Sequence, residues 1–308
     1  MRTPPYLQKG DLIALAAPAR AISHSIAERA ESTICRYGFE ALADPEVFLE
    51  HNQFAGTDEQ RKDHFQRLLD HPDIKAILCL RGGYGSVRII DELNFDQFNQ
   101  HPKWIAGFSD ITVFQLHVMA VHQSESLHCA MPVNFEEATN DTVQSLFDAL
   151  QGKTPDFNIK PHPLNRRGET SGPVFGGNLS IVYNLLSSNS FPNPDGMILF
   201  LEDVDEYLYH VDRMMVALKR AGVLERISGL VVGGMTDMRD NNIGFGKNAE
   251  AIIAEHVSGF DYPLCFGFPA GHQKQNLAFL MGRTSTLEVN KEGSYFVQHH
   301  ADSYGTTQ

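Results

Sequence analysis

Apolar residues in this chain fall into two textures. Residues 12–17, 74–80, 104–107, 197–201, 230–232 and 264–268 are short runs apolar at nearly every position, as in strands covered on both faces. Between them, 23–37, 58–69, 87–93, 179–186 and 211–221 place apolar residues every three or four positions among polar ones, which predicts helices. Pro18 closes the first run, and Gly38 and Gly222 stand where glycine ends a helix. Further strands are expected from Ala41 and over 173–175. The tail reads as a hairpin, 286–289 and 294–297, around Lys291-Glu292-Gly293. Strands alternating with helices through the first half point to a parallel α/β sheet.

Near residue 150 the texture changes. Gln151-Gly152-Lys153-Thr154-Pro155, Pro161, Pro163 and Arg166-Arg167-Gly168 are polar and rich in turn residues. The expected division is therefore 1–150, a linker over 151–172, and 173–308.

The chain has 308 residues, 42% hydrophobic and 20% charged, an ordinary globular composition with room for two cores. Lys and Arg number 25 against 38 Asp and Glu, a net charge of −13. That balance argues against a nucleic-acid surface, which needs clustered basic residues. No apolar stretch is long enough to span a bilayer and no apolar signal region opens the chain, so a cytoplasmic location without membrane attachment is expected. Cys35, Cys79, Cys129 and Cys265 are far apart and form no CxxC pair. Reduced thiols are expected, with no metal site and no disulfide framework.

Candidate chemistry gathers at strand ends. Trp104-Ile105-Ala106-Gly107-Phe108-Ser109-Asp110 runs from a strand through glycine into a helix start. Such a corner lifts one hydroxyl clear of the backbone beside the amides of a new helix turn, ready for an oxyanion. The same Ser-Asp pair is also an ordinary helix cap. As nucleophile, Ser109 needs a base of near-neutral pKa, which means histidine. Of the fourteen histidines, most, among them His64, His71 and His101, sit in polar, surface-like contexts. His272 differs, following Gly271 in a turn directly after an apolar run, where α/β sheets open their functional crevice. Glu202 is the first polar residue after the run 197–201 and can orient an imidazole; Asp203, Asp205 and Glu206 also read as a solvated acidic turn. Arg81-Gly82-Gly83-Tyr84-Gly85 offers backbone N–H groups to an oxyanion or a carboxylate. It fails as a dinucleotide fingerprint, because Arg88 stands where a third glycine belongs. In Gly176-Gly177-Asn178, asparagine reads as a helix N-cap.

In the order Ser109, Glu202, His272, with the glycine loop at 81–85, Gly176-Gly177-Asn178-Leu179, Tyr209, Asp212-Arg213 and Asn276, the chain resembles the LD-carboxypeptidase family of serine peptidases over essentially its whole length. The resemblance implies an N-terminal, Rossmann-like parallel-sheet α/β domain carrying the nucleophile. A smaller C-terminal α/β domain of mixed sheet carries the other two residues. It implies Ser109 as nucleophile, His272 as general base and acid, and Glu202 as its orienting partner. The amides of Asp110 and Gly83 would form the oxyanion hole, and Arg81 is a candidate substrate-binding residue. It further implies no cofactor, a cytoplasmic homodimer, and release of D-alanine from murein tetrapeptide in cell-wall recycling. One departure stands out: His128-Cys129-Ala130-Met131-Pro132 replaces a His-Gly-Pro-Met type segment, which bears on the pocket wall. The order Ser…Glu…His also matches α/β-hydrolases, but Ile111 occupies the place of their second elbow glycine.

Two other readings keep the same cleft. A microcin-immunity branch of the family acts on peptidyl or aminoacyl adenylate analogues and uses an aromatic platform, whereas the one tryptophan here, Trp104, lies on the strand entering the corner. A non-catalytic muropeptide sensor is the other.

Overall fold

The computed structural model describes residues 1–153 and 156–300. Its strands are β1 (Leu12–Ala16), β2 (Glu40–Leu42), β3 (Ile74–Cys79), β4 (Trp104–Gly107), β5 (Ser126–His128), β6 (Phe157–Ile159) and β7 (Gly168–Asn178). They continue with β8 (Ile198–Val204), β9 (Gly229–Thr236), β10 (Leu264–Phe266), β11 (Phe279–Met281), β12 (Thr284–Val289) and β13 (Ser294–Gln298). The first sheet has the order β2-β1-β3-β4-β5-β11, its first five strands parallel and β11 antiparallel on β5. The second has the order β10-β9-β8-β7-β12-β13-β6, parallel from β10 to β7 and antiparallel from there on. The fold is therefore α/β, a parallel sheet followed by a mixed one.

Burial explains these textures. Every residue of β4 is buried, and β1 and β3 each have one partly exposed position, because helices cover both faces of a parallel sheet. β13 alternates buried and exposed residues, and the hairpin it forms with β12 presents one face to solvent. The amphipathic segments form α1 (His24–Arg36) and α2 (Asp58–Asp70). A capping box between Thr57 and Gln60 starts α2, and Gly38, at φ +84°, follows α1. The segment 87–93 differs from its expected helix: it forms two 3₁₀ turns, Ser86–Arg88 and Ile90–Glu92. Val87, Ile90 and Leu93 repeat every third residue, the 3₁₀ period, and all three pack on the core of the first sheet.

The residues read as linker hold β6, which pairs with β13, and the first part of β7. Thr154 and Pro155 of that segment, and 301–308 of the expected C-terminal part, lie outside the described residues. The two sheets share structure. Between α3 (Asp96–Gln100) and α5 (Asn140–Leu150), helix α4 (Thr112–His122) is buried along most of its length, and its Leu116 and Met119 belong to the core of the second sheet. β11 returns from the C-terminal half to close the first sheet. No helix among the described residues is long and apolar enough to cross a membrane.

Candidate active site

β4 ends at Gly107, with φ +156°, and Ser109 follows at φ +63°. A left-handed conformation is uncommon for a residue with a side chain, and such strain persists where the surroundings over-determine it. Gly107 permits the corner: a Cβ there would press on Ile111 at 3.0–3.2 Å. Ile111 thus packs its side chain where the α/β-hydrolase elbow would keep a glycine. Ser109, Asp110 and Ile111 form a 3₁₀ turn that runs directly into α4.

The glycine loop after β3 closes over this corner. A Cβ at Gly82 would lie 3.1 Å from Ser109 Oγ and 3.2 Å from the Asp110 amide, so only a glycine lets the loop backbone come this near. The Asp110 side chain is buried. Its Oδ2 accepts a hydrogen bond from the Ser86 amide at 2.8 Å, tying the loop's far end to the nucleophile turn. Burial pushes the Asp110 pKa up, and hydrogen bonds from Ser86 oppose that only in part. Arg61, with its side chain buried, secures the same loop by donating to the carbonyls of Gly85 at 3.0 Å and Pro18 at 2.5 Å.

The other half of the site comes from the second sheet. Glu202 lies within β8, not beyond its end, and is completely buried. Its Oε2 accepts from His272 Nδ1 at 2.6 Å and from the His272 amide at 3.0 Å. Gly271, at φ +106°, makes this approach possible, since a Cβ there would stand 2.7 Å from that of Glu202. Burial alone would lower the His272 pKa; the facing Glu202 carboxylate and its hydrogen bond outweigh it, and the net shift is upward from 6.5. For Glu202, burial raises the pKa, but the imidazole's charge and hydrogen bond prevail and the net shift is downward. Glu202 Oε1 has no hydrogen-bond partner. The carboxylate is thus held through one oxygen, and a proton on the imidazole is what balances its charge.

Behind the pair lies a buried network. His128, at the end of β5, has no exposed surface, and burial drives its pKa down to about 4. The neutral ring donates Nε2–H to Asn276 Oδ1 at 3.2 Å, and the same oxygen accepts from the Gly271 amide at 2.9 Å. The turn carrying His272 is therefore pinned from both halves of the chain. Asn178 caps α6 (Leu179–Asn184), accepting from the Ile181 amide at 3.3 Å, and its own amide donates to Thr112 Oγ1 at 3.2 Å. Asp203, beside Glu202, accepts from Asn178 Nδ2 at 2.8 Å and from the Ser180 amide at 2.9 Å. Burial and the Glu202 charge push it up to about 7.

Ser109 and His272 line one cleft of about 530 Å³, together with Arg81, Gly83, Asp110 and Asp203. All the expected site residues except the buried Glu202 border it, and Glu202 reaches it through His272. A second cavity of about 480 Å³ adjoins the imidazole, sharing Phe108 and Asn134 with the first and bordered by Glu137 and Lys274. Arg20 and Asn134, which also line the first cleft, carry no signal in the sequence. Arg20 follows an unremarkable strand end, and Asn134 sits in a 3₁₀ turn. Ala130 and Met131, from the segment that departs from the family pattern, border the second and the first cavity respectively. Among the described residues no group of three or more His, Cys, Asp or Glu is placed to hold a metal ion.

A strained serine under a glycine loop, sharing a cleft with a histidine paired to a buried glutamate, agrees with the sequence comparisons. The profile of the LD-carboxypeptidase N-terminal domain matches residues 13–129, and that of the C-terminal domain matches 171–287. The chain belongs to the LD-carboxypeptidase family. It is 28% identical over 290 residues to the murein tetrapeptide carboxypeptidase of Pseudomonas aeruginosa, covering 91% of this chain and 94% of that protein. It is 27% identical over 294 residues to the probable murein peptide carboxypeptidase of Bacillus subtilis, covering 93% and 91%. Among solved structures, muramoyltetrapeptide carboxypeptidase from Oxalobacter formigenes superimposes with a TM-score of 0.85 at 25% identity, over 94% of this chain and 99% of that one. The microcin-immunity protein MccF in complex with glutamyl sulfamoyl guanosine shares the fold, with a TM-score of 0.84 at 20% identity over 96% and 98%. Family membership makes the protein a peptidase-type hydrolase.

Proposed function

We propose that the protein is a serine carboxypeptidase that hydrolyses the L,D-peptide bond to the terminal D-alanine of a murein tetrapeptide or a related short peptide, in cell-wall recycling. The observation that carries this reading is the strained Ser109 lining one cleft with His272, whose Nδ1 is held from behind by the buried Glu202. Nδ1 of His272 is committed to Glu202, which leaves Nε2 to take the Ser109 proton as Oγ attacks the scissile carbonyl. The amides of Asp110 and Gly83 receive the developing oxyanion. His272 then passes its proton to the departing amine of D-alanine, and water repeats the sequence on the acyl-enzyme. Each proton is returned, and no cofactor enters the cycle. The enzyme would work in the cytoplasm, as a homodimer.

Hydrolysis of adenylate analogues is the second reading, and the cleft favours it less. Trp104 is fully buried, stacks on Tyr6 and donates to the Pro5 carbonyl at 3.0 Å, so it offers no platform for a base. Phe108, the aromatic ring bordering both cavities, is itself buried and tilted against His272. A muropeptide sensor would not need the strain at Ser109.

The deciding experiment follows D-alanine release from free murein tetrapeptide by wild type and by Ser109→Ala. Wild type is expected to release it and the variant to lose turnover by roughly 10⁴-fold or more. Full activity in a folded Ser109→Ala protein would overturn the assignment of the nucleophile. A folded but inert wild type would overturn the substrate.

A further inference from the structure

The cavity of about 480 Å³ beside the catalytic cleft has no part in the steps above. It borders His272 but not Ser109, Gly83 or Asp110. The scissile carbonyl belongs with those three, in the first cleft. What lies toward the imidazole is the group that receives its proton, the departing amine. The second cavity therefore opens on the leaving-group side of the bond. Alanine needs little room there, since its side chain is one methyl. A space of this size falls instead within the range of small-molecule sites, about 300–1,000 Å³.

The walls suit a larger, apolar side chain. Phe108, at 2% exposure, lies with its ring centroid 4.7 Å from that of His272, and Ala130, at 1%, and Val204 border the same space. The charged residues that border it, Glu137, Asp237 and Lys274, are all exposed and so stand at its rim. The first cleft is lined by Arg20, Arg81, Asp203, Asp205 and Glu206, and an apolar side chain gains less among groups that must keep their water. Ala130 also belongs to the segment that departs from the family pattern, standing after Cys129 where that pattern has proline after glycine. Alanine is the smaller residue and leaves more of this space open.

We propose that this cavity receives the side chain of the departing residue, so that the enzyme releases C-terminal D-amino acids with long apolar side chains, such as D-methionine, as well as D-alanine. The proposal rests on the hydrolase reading above and widens its substrate class. The bond broken is the same amide. The amine leaves with the proton held by His272, and water gives its hydroxyl to the acyl group and its proton back to the imidazole. The test measures kcat/KM for murein tetrapeptide and for the same peptide ending in D-methionine, on wild type, Ala130→Leu and Ala138→Phe. Both substitutions fill the cavity, and Ala138 is half-buried, so its larger replacement need not be packed into the core. Wild type is expected to favour the D-methionine peptide by roughly tenfold, carried in KM, as binding of a side chain remote from the reacting atoms is uniform. In the variants that peptide is expected to lose roughly 10–100-fold while the D-alanine peptide stays within about threefold. Equal losses on both peptides in both variants would mean a structural defect or an acyl-side occupant, and would overturn the proposal. A wild type that cleaves the D-alanine peptide and is roughly a hundredfold slower on D-methionine would overturn it too, with the hydrolase standing. If wild type cleaves neither, the hydrolase reading fails and binding to Ser109→Ala decides the cavity. Tighter binding of the D-methionine peptide there, abolished by Ala138→Phe, keeps the proposed pocket, and equal binding of the two peptides sinks it.

Discussion

His272 is the residue on which pH control of the reaction turns. It accepts a proton only when neutral, so kcat/KM of the free enzyme rises with pH as the imidazole loses its proton. Because the Glu202 carboxylate holds that pKa above 6.5, the acid limb is expected above 6.5 in wild type. Glu202→Gln removes that charge and leaves burial opposed only by the Asp203 carboxylate, which moves the limb to lower pH. The same change permits the wrong tautomer and lowers kcat by roughly 10³–10⁴-fold. A pH–rate profile of the two proteins checks both effects, and an unmoved limb would mean that Glu202 does not set this pKa. The motif at 107–110 and the glycine before His272 made these residues candidates on sequence alone. The fully buried setting of Glu202 was not legible, because burial of a strand-end acid depends on what packs over it, here Gly271. His64, which reads as a surface histidine, is buried in α2 at 4% exposure for the same kind of reason: its polar neighbours point elsewhere on the helix.

At the scale of elements, the corner between β7 and α6 matters as much as the nucleophile corner. Gly177, at φ +131°, lies against α4, and a Cβ there would meet Thr112 Oγ1 at 2.5 Å and Cγ2 at 2.7 Å. Gly177→Ala therefore combines a disfavoured backbone with a clash against the helix that follows Ser109. A loss of stability above roughly 1 kcal/mol is expected, together with a fall in kcat as α4 shifts the nucleophile. Denaturant melts and turnover of the variant measure the two; wild-type values of both would contradict this packing argument. The helices and strands themselves were largely readable from periodicity, as α1, α2, β3, β4 and the terminal hairpin attest. β5, β6 and β11 were not: three residues each are too few for a pattern, and they are strands by virtue of the neighbour they pair with.

Over the whole molecule, the two sheets are bound by shared parts. β11 completes the first sheet from the far end of the chain, and Leu116 and Met119 of α4 enter the second core. The buried Arg283–Glu125 pair, with bonds of 2.7 and 2.6 Å, joins the C-terminal half to the N-terminal half. Removing either sheet would expose the other's core and strand the buried charges of that pair. Thermal unfolding is accordingly expected as a single transition with equal calorimetric and van 't Hoff enthalpies. Two resolved transitions would show instead that the halves are independent.

By itself the sequence determined the class of fold, the strand-to-helix corner at Ser109, the identities of the three candidate catalytic residues and their family. All of these are written in short stretches of chain, where periodicity, glycine conformation and side-chain chemistry act locally. Only the tertiary structure decided that Glu202 is completely buried against Gly271, that Arg20 lies over the glycine loop, and that one strand crosses back to seal the first sheet. Those outcomes depend on contacts between residues tens to hundreds of positions apart, and no local pattern records which distant surface will close over a charge.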